Sequence, residues 1–200
     1  MLEQEFITEL QILAQNGAEN ASRALSRFLA REMLIKVASV STSKIEDIPE
    51  SLAESDAIVA GIVTRITGEI EGNAALIFKE EDSLTLIRIL GGSKKSDLRS
   101  GLGELERSML QETANITISS FMNSIGTHLN KRAVPSVPVF FADLAGAILS
   151  VLLLETAEVF DDAVLFSTFF ECQHENLKGF FVFFPSPSSL TTLKEGLANG

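Results

Sequence analysis

The chain has 200 residues, a formal net charge of −11, one cysteine and two histidines. That length suits one large domain or two small fused halves and buries a core without covalent staples. With Cys172, His128 and His174 alone of their kinds, a disulfide framework and a Cys-based metal cluster are excluded within one chain, and a His-rich metal site is disfavoured.

The acidic balance, without a block of Lys or Arg, argues against nucleic acid and against an anionic membrane as partners. The start, MLEQEFITEL, lacks the basic and apolar runs of a signal peptide. The longest apolar stretch, LAGAILSVLLL at 144–154, is too short to span a bilayer. The expectation is a soluble cytoplasmic protein.

Apolar residues at helical spacing (Phe6, Leu10, Leu13, Ala18, Ala21, Leu25, Phe28, Leu29) predict a helix over 4–30. A short strand is expected at Met33–Val40, then a hairpin with arms at Ala57–Ile66 and Gly72–Phe78 joined around Thr67-Gly68-Glu69. A short helix over 82–90 stops at Gly91-Gly92, and GGSKKSDLRSG (91–101) reads as a linker. Beyond it come a long helix from Gly103 to His128, a strand from Ala133 to Phe141 and a helix over 143–155. Strands at 163–172 and 179–185 and a final short helix, SSLTTLKEGL, complete the order.

The order of elements repeats, with landmarks about 100 residues apart such as Gln15 with Asn115 and Phe78 with Phe184. Pseudo-repeats at 1–92 and 102–200 are expected to form one pseudo-two-fold, duplicated α/β (α+β) domain. Its mainly antiparallel sheet would be flanked by the two long helices.

One stretch has no fold-level explanation. Ser108, Glu112 and Asn115 lie on the second long helix, and Pro138 follows Asn115 after 22 intervening residues. At about 100° per residue, Ser108, Glu112, Asn115 and Ser119 share an arc of about 60°. Ser and Asn are mediocre helix formers, so propensity did not choose them. From Asn115 the helix advances about 20 Å, and a returning strand covers about 23 Å, which would bring Pro138 back beside Asn115. A solvated helix face explains any one of these residues; the four-position pattern is more specific.

That pattern resembles the motif of the CheC-like chemotaxis phosphatases, a family that includes CheX and FliY-type flagellar switch proteins. Its form is Asp or Ser, three residues, Glu, two residues, Asn, 22 residues, Pro. Neighbouring words agree: ELERSMLQETANI, DLAGAIL, ITGEIEGNAALIF and the opening NGAENASRALSRFL. The resemblance covers essentially the whole chain. In the first half the matching positions are Thr8, Ile12, Gln15 and Ala38, so the carboxylate and the proline are absent. A frame shifted by one (Glu9, Leu13, Asn16, Ser39) is no better. The first half reads as scaffold and the second as the working site.

The resemblance implies a substrate that is itself a protein, the aspartyl-phosphate of a CheY-like response regulator. No cofactor of its own is implied, since the receiver carries Mg²⁺ and a lysine. Asn115 would orient the attacking water, Glu112 would pair with the receiver's lysine, Ser108 would support the ridge, and Pro138 would shape the docking surface. CheD is a further partner that the resemblance permits, with 143–155 as one candidate surface. The rival readings are a non-catalytic binding module and a small-molecule hydrolase. The second lacks a G-x-S-x-G, HExxH or P-loop pattern. Asp161-Asp162 reads as a loop before a strand, His128 as a favourable charge at a helix end, and Cys172 as a packed strand residue.

Overall fold

The computed structural model describes residues 3–48, 50, 56–93, 97–147, 162–172 and 174–198. Its elements run α1 (Glu3–Leu29), β1 (Leu34–Lys44), a 3-10 turn (Ile45–Asp47), β2 (Ile58–Gly68), β3 (Gly72–Lys79) and α2 (Glu80–Ile89). There follow α3 (Glu104–Leu129), β4 (Ala133–Pro135), β5 (Val139–Leu144), β6 (Asp162–Cys172), β7 (Glu175–Pro185) and α4 (Pro187–Ala198). The described strands form one sheet in the order β1-β6-β7-β3-β2-β4, with β5 also on β2. Every described pairing is antiparallel. The edge strand of each half is paired with the hairpin of the other half, so the halves interlock through the sheet.

The apolar stripe of α1 (Phe6, Leu10, Leu13, Ala18, Ala21, Leu25) is buried at three- and four-residue spacing, as an amphipathic helix requires. It lies antiparallel to α3. Gly17 meets Phe121, and the Ser124 hydroxyl donates to the Leu13 carbonyl at 2.8 Å. A Cβ at Gly17 would stand 2.8 Å from the Phe121 Cα, so the glycine sets how closely the two helices approach. Helix propensity alone favours Gly17→Ala by about 1 kcal/mol. The backbone contact opposes it, and overpacking costs about 1–3 kcal/mol. Gly17→Ala is expected to lower the midpoint of denaturant unfolding; a raised midpoint would show that the helices part without cost.

Beneath the helices, Phe121 packs on Phe166 and Phe181 with ring centroids 5.9 and 4.8 Å away, and Phe78 on Phe170 at 5.2 Å. Phe6 and Phe183 are buried in the same core. Phenylalanine fills such a core without the hydroxyl or indole N–H that Tyr or Trp would have to satisfy. The opposite face of the sheet is also covered. Val59, Ala75, Ile77, Phe180 and Val182 form a second core with Ile45, Ile48 and Ala145. Strands β2, β3 and β7 are therefore buried almost continuously rather than alternately.

Two expected elements differ in kind, while β1 runs on to Lys44 and β7 starts at Glu175, each about four residues longer than expected. The strand predicted over 133–141 is split into β4 and β5. Pro135 faces Ile66 and Val139 faces Val63, so three residues (136–138) oppose two and one is extra. Pro138 has no N–H for a ladder, and it sits in this break. Ser136 bridges it: its N–H donates to the Arg65 carbonyl at 2.8 Å, and its carbonyl accepts from the Thr64 hydroxyl at 2.8 Å. The helix predicted from 143 starts later, because Asp143 and Leu144 pair with Val59 and Ile58 to finish β5. A helical turn begins at 145, and the rest of that predicted helix (148–155) lies outside the described residues.

At the β2–β3 turn, Gly68 has a φ of 127°, and a Cβ there would meet the Arg132 carbonyl oxygen at 2.5 Å. The Glu69 and Ile70 N–H groups donate to that same oxygen at 2.8 and 3.0 Å. Glu69 pairs with Lys131 at 3.0 Å, which holds its carboxyl below the usual range. The hairpin tip is thereby tied to the chain between α3 and β4.

Candidate functional site

Helix α3 carries the polar constellation, and its ends are well defined. The Glu106 carboxylate accepts from the Gly103 N–H at 2.7 Å, closing the first turn. At the other end Asn130 is left-handed (φ 51°), and the Lys131 N–H reaches back to the Gly126 carbonyl at 2.8 Å. His128 stands in the last turn, where a positive charge complements the dipole.

The inner face of α3 is Leu110, Thr113, Ala114, Thr117, Ile118 and Phe121, all buried. Its two buried threonines are satisfied within the helix: Thr113 donates to the Met109 carbonyl at 2.9 Å and Thr117 to that of Thr113 at 2.8 Å. Ser120 bonds back to Ile116 in the same way, at 2.7 Å.

The constellation behaves differently. Ser108 is exposed, and Glu112 and Asn115 are half-buried. None of the three side chains makes a hydrogen bond or ion pair with another described residue. A half-buried carboxylate and amide one helical turn apart, both unpartnered, present an acceptor and a donor–acceptor pair outward from a rigid helix.

Gln111, beside them on the helix, is engaged: its side-chain N–H donates to the Pro138 carbonyl at 2.7 Å. Pro138 is buried, and this bond anchors it one turn before Asn115, next to Glu112. Gln111 was not singled out from the sequence, although its place between Ser108 and Glu112 could have suggested a contact. Gln111→Leu is expected to cost about 1 kcal/mol, the net worth of one such bond. Amide hydrogen exchange should then speed up in 136–140 while α1 is unaffected. Unchanged exchange there would show that the break is held by Ser136 alone.

The corresponding first-half positions lie apart from this constellation, at the other end of the helix pair. Thr8, Gln15 and Ala38 are exposed, and the Thr8 hydroxyl is spent on the Gln4 carbonyl at 2.8 Å. Ile12 is 53% exposed where the second half has a carboxylate. Ala38 is the extra residue of a bulge, since Val37 pairs with Thr168 and Ser39 with Ser167. Each edge strand thus carries one extra residue at its motif-aligned position, Ala38 or the 136–138 break.

Other candidates have structural roles. Asp162 opens β6 and pairs with Lys44 at 2.7 Å, while Asp161 lies outside the described residues. Cys172 is buried in β6, and burial pushes its thiol above the usual range with Arg31 opposing, the reverse of what a nucleophile needs. No cluster of three metal-ligating side chains occurs among the described residues. None of the described helices is long and apolar enough to cross a membrane.

No family model matches the chain. It is 25% identical over 196 residues to the CheY-P phosphatase CheC of Bacillus subtilis, with 96% of this chain and 93% of that relative covered. The chain resembles CheC over nearly its whole length. The fold agrees with that likeness. FliY of Thermotoga maritima superposes with a TM-score of 0.78 at 17% identity, covering all of this chain and 98% of that one. CheX of Vibrio vulnificus gives 0.56 at 15% identity (87% and 99% covered). The middle domain of FliM from Vibrio alginolyticus gives 0.66 at 14% (94% and 99%). These likenesses show a shared fold, the mainly antiparallel α+β arrangement described above.

Proposed function

We propose that this CheC-like chain is a phosphatase for the aspartyl-phosphate of a CheY-like response regulator. The observation that carries the reading is the pair of half-buried, unpartnered side chains, Glu112 and Asn115, on a helix where the neighbouring Gln111, Thr113, Thr117 and Ser120 side chains are hydrogen-bonded within the fold. The likeness to a protein named as a CheY-P phosphatase supports it.

An acyl phosphate on a receiver domain arrives with its own Mg²⁺ and lysine, so the phosphatase supplies position rather than a nucleophile. The Asn115 amide accepts a hydrogen bond from a water and donates one toward the phosphoryl oxygens, placing the water in line with phosphorus. As the water oxygen bonds to phosphorus, the bond to the aspartyl oxygen breaks, leaving inorganic phosphate and a free carboxylate. The amide is neutral and does not repel the phosphoryl group. The Glu112 carboxylate takes the receiver's lysine, which orients the two proteins. Ser108 extends the polar ridge, and Pro138, held by Gln111, shapes the adjoining surface.

Glu112→Ala is expected to lower kcat/KM for a phosphorylated receiver by about 10–100-fold, the worth of one hydrogen bond to a charged group. Stopped-flow decay of the phospho-receiver measures it, and a wild-type value would remove Glu112 from the account. The same fold is shared with the FliM middle domain, so a binding module without hydrolysis is the second reading. Turnover with substoichiometric protein separates the two.

A further inference from the structure

A cleft of about 520 Å³ opens at the end of the helix pair that carries the constellation, lined by Phe28, Leu29, Leu90, Leu105, Met109, Ser108 and Glu112. Its rim is apolar and open to solvent, with Phe28 54% and Leu105 66% exposed. Two of the motif's own residues, Ser108 and Glu112, form one wall, so a partner that reaches Glu112 also covers the cleft mouth. Among the described residues, the lining contains one carboxylate and no cation.

The other end of the helix pair differs at several of these positions. Shifted by 100 positions, Phe28 corresponds to His128, Leu105 to Glu5 and Met109 to Glu9, whereas Leu29 stays apolar as Leu129 and Glu112 becomes Ile12. The two exposed apolar residues beside the intact motif, Phe28 and Leu105, thus have polar counterparts beside the degenerate one. A large exposed apolar pair beside an unpartnered carboxylate marks an interaction surface rather than a solvated helix face.

We propose that this cleft seats an apolar side chain of the receiver domain, next to the lysine taken by Glu112, and anchors the complex. The inference rests on the receiver-docking part of the proposed function. The charge pattern selects that occupant: the cleft offers apolar walls and one anion, which fit an apolar residue flanked by a cation.

The test is calorimetric titration of the full chain with single-domain CheY-like receivers from the same organism, each loaded with beryllofluoride and Mg²⁺. The variants are Phe28→Ser, Leu105→Ser and the pair. Both residues are exposed, so circular dichroism melts should match the parent. The pair is expected to raise Kd at least tenfold and to raise KM for the phospho-receiver by a similar factor. A Kd within twofold of the parent would overturn the inference. So would a change in oligomeric mass by ultracentrifugation without a change in receiver affinity, since the occupant would then be a second copy of this chain. If the parent binds the loaded receiver through Phe28 and Leu105 yet does not hydrolyse its phosphate, the cleft inference stands and the phosphatase reading falls.

Discussion

Asn115→Ala is expected to abolish the chain's acceleration of receiver dephosphorylation while leaving its stability nearly unchanged. The two halves of that expectation have separate grounds. Losing a preorganised group that orients the reacting water costs about 10²–10³-fold in rate. The fold loses little, because the Asn115 side chain bonds to no described residue and alanine is the better helix former. A melt within about 0.5 kcal/mol of the parent, as for surface changes away from special features, accompanies the loss of rate. A large loss of stability would instead assign Asn115 to the fold.

Phe121→Ala is expected to have the largest effect on stability. Phe121 is fully buried, its ring packs on both Phe166 and Phe181, and its backbone bears against Gly17. Truncation empties the point where both long helices meet the sheet. The cost is about 3–5 kcal/mol, on the order of 10 °C in melting temperature for a chain of this size. Equilibrium denaturation measures it. A cost below about 1 kcal/mol would mean that the helices settle into the vacancy.

Much of the architecture was legible because its signals are local. The stripe of α1, the hairpin turn at Gly68 and the repeated order of elements all show in spacing and composition. The antiparallel sheet follows from the hairpins. What the pattern could not show is that both sheet faces are covered, which buries β2, β3 and β7 almost continuously and removes the alternation that assigns faces. The split of the 133–141 strand was hidden for a related reason. Pro138 marks a ladder defect, but its size depends on the register of Pro135 and Val139 against a strand some 70 residues earlier.

The site divides in the same way. Ser108, Glu112, Asn115 and Pro138 stand out by spacing within one helix and its return strand. Gln111, which holds Pro138, and the cleft formed with Phe28 and Leu90 depend on contacts between distant segments. Phe28 and Leu105 look like core residues in a helical pattern; only the packing shows that they face solvent.

The most direct test of the central claim is phosphate release from a phosphorylated CheY-like receiver in excess over the chain, compared with Asn115→Ala. Many turnovers per molecule of the parent are expected, with decay at the receiver's own rate for the variant. Saturable binding of the phospho-receiver without faster decay, or equal acceleration by parent and variant, would contradict it.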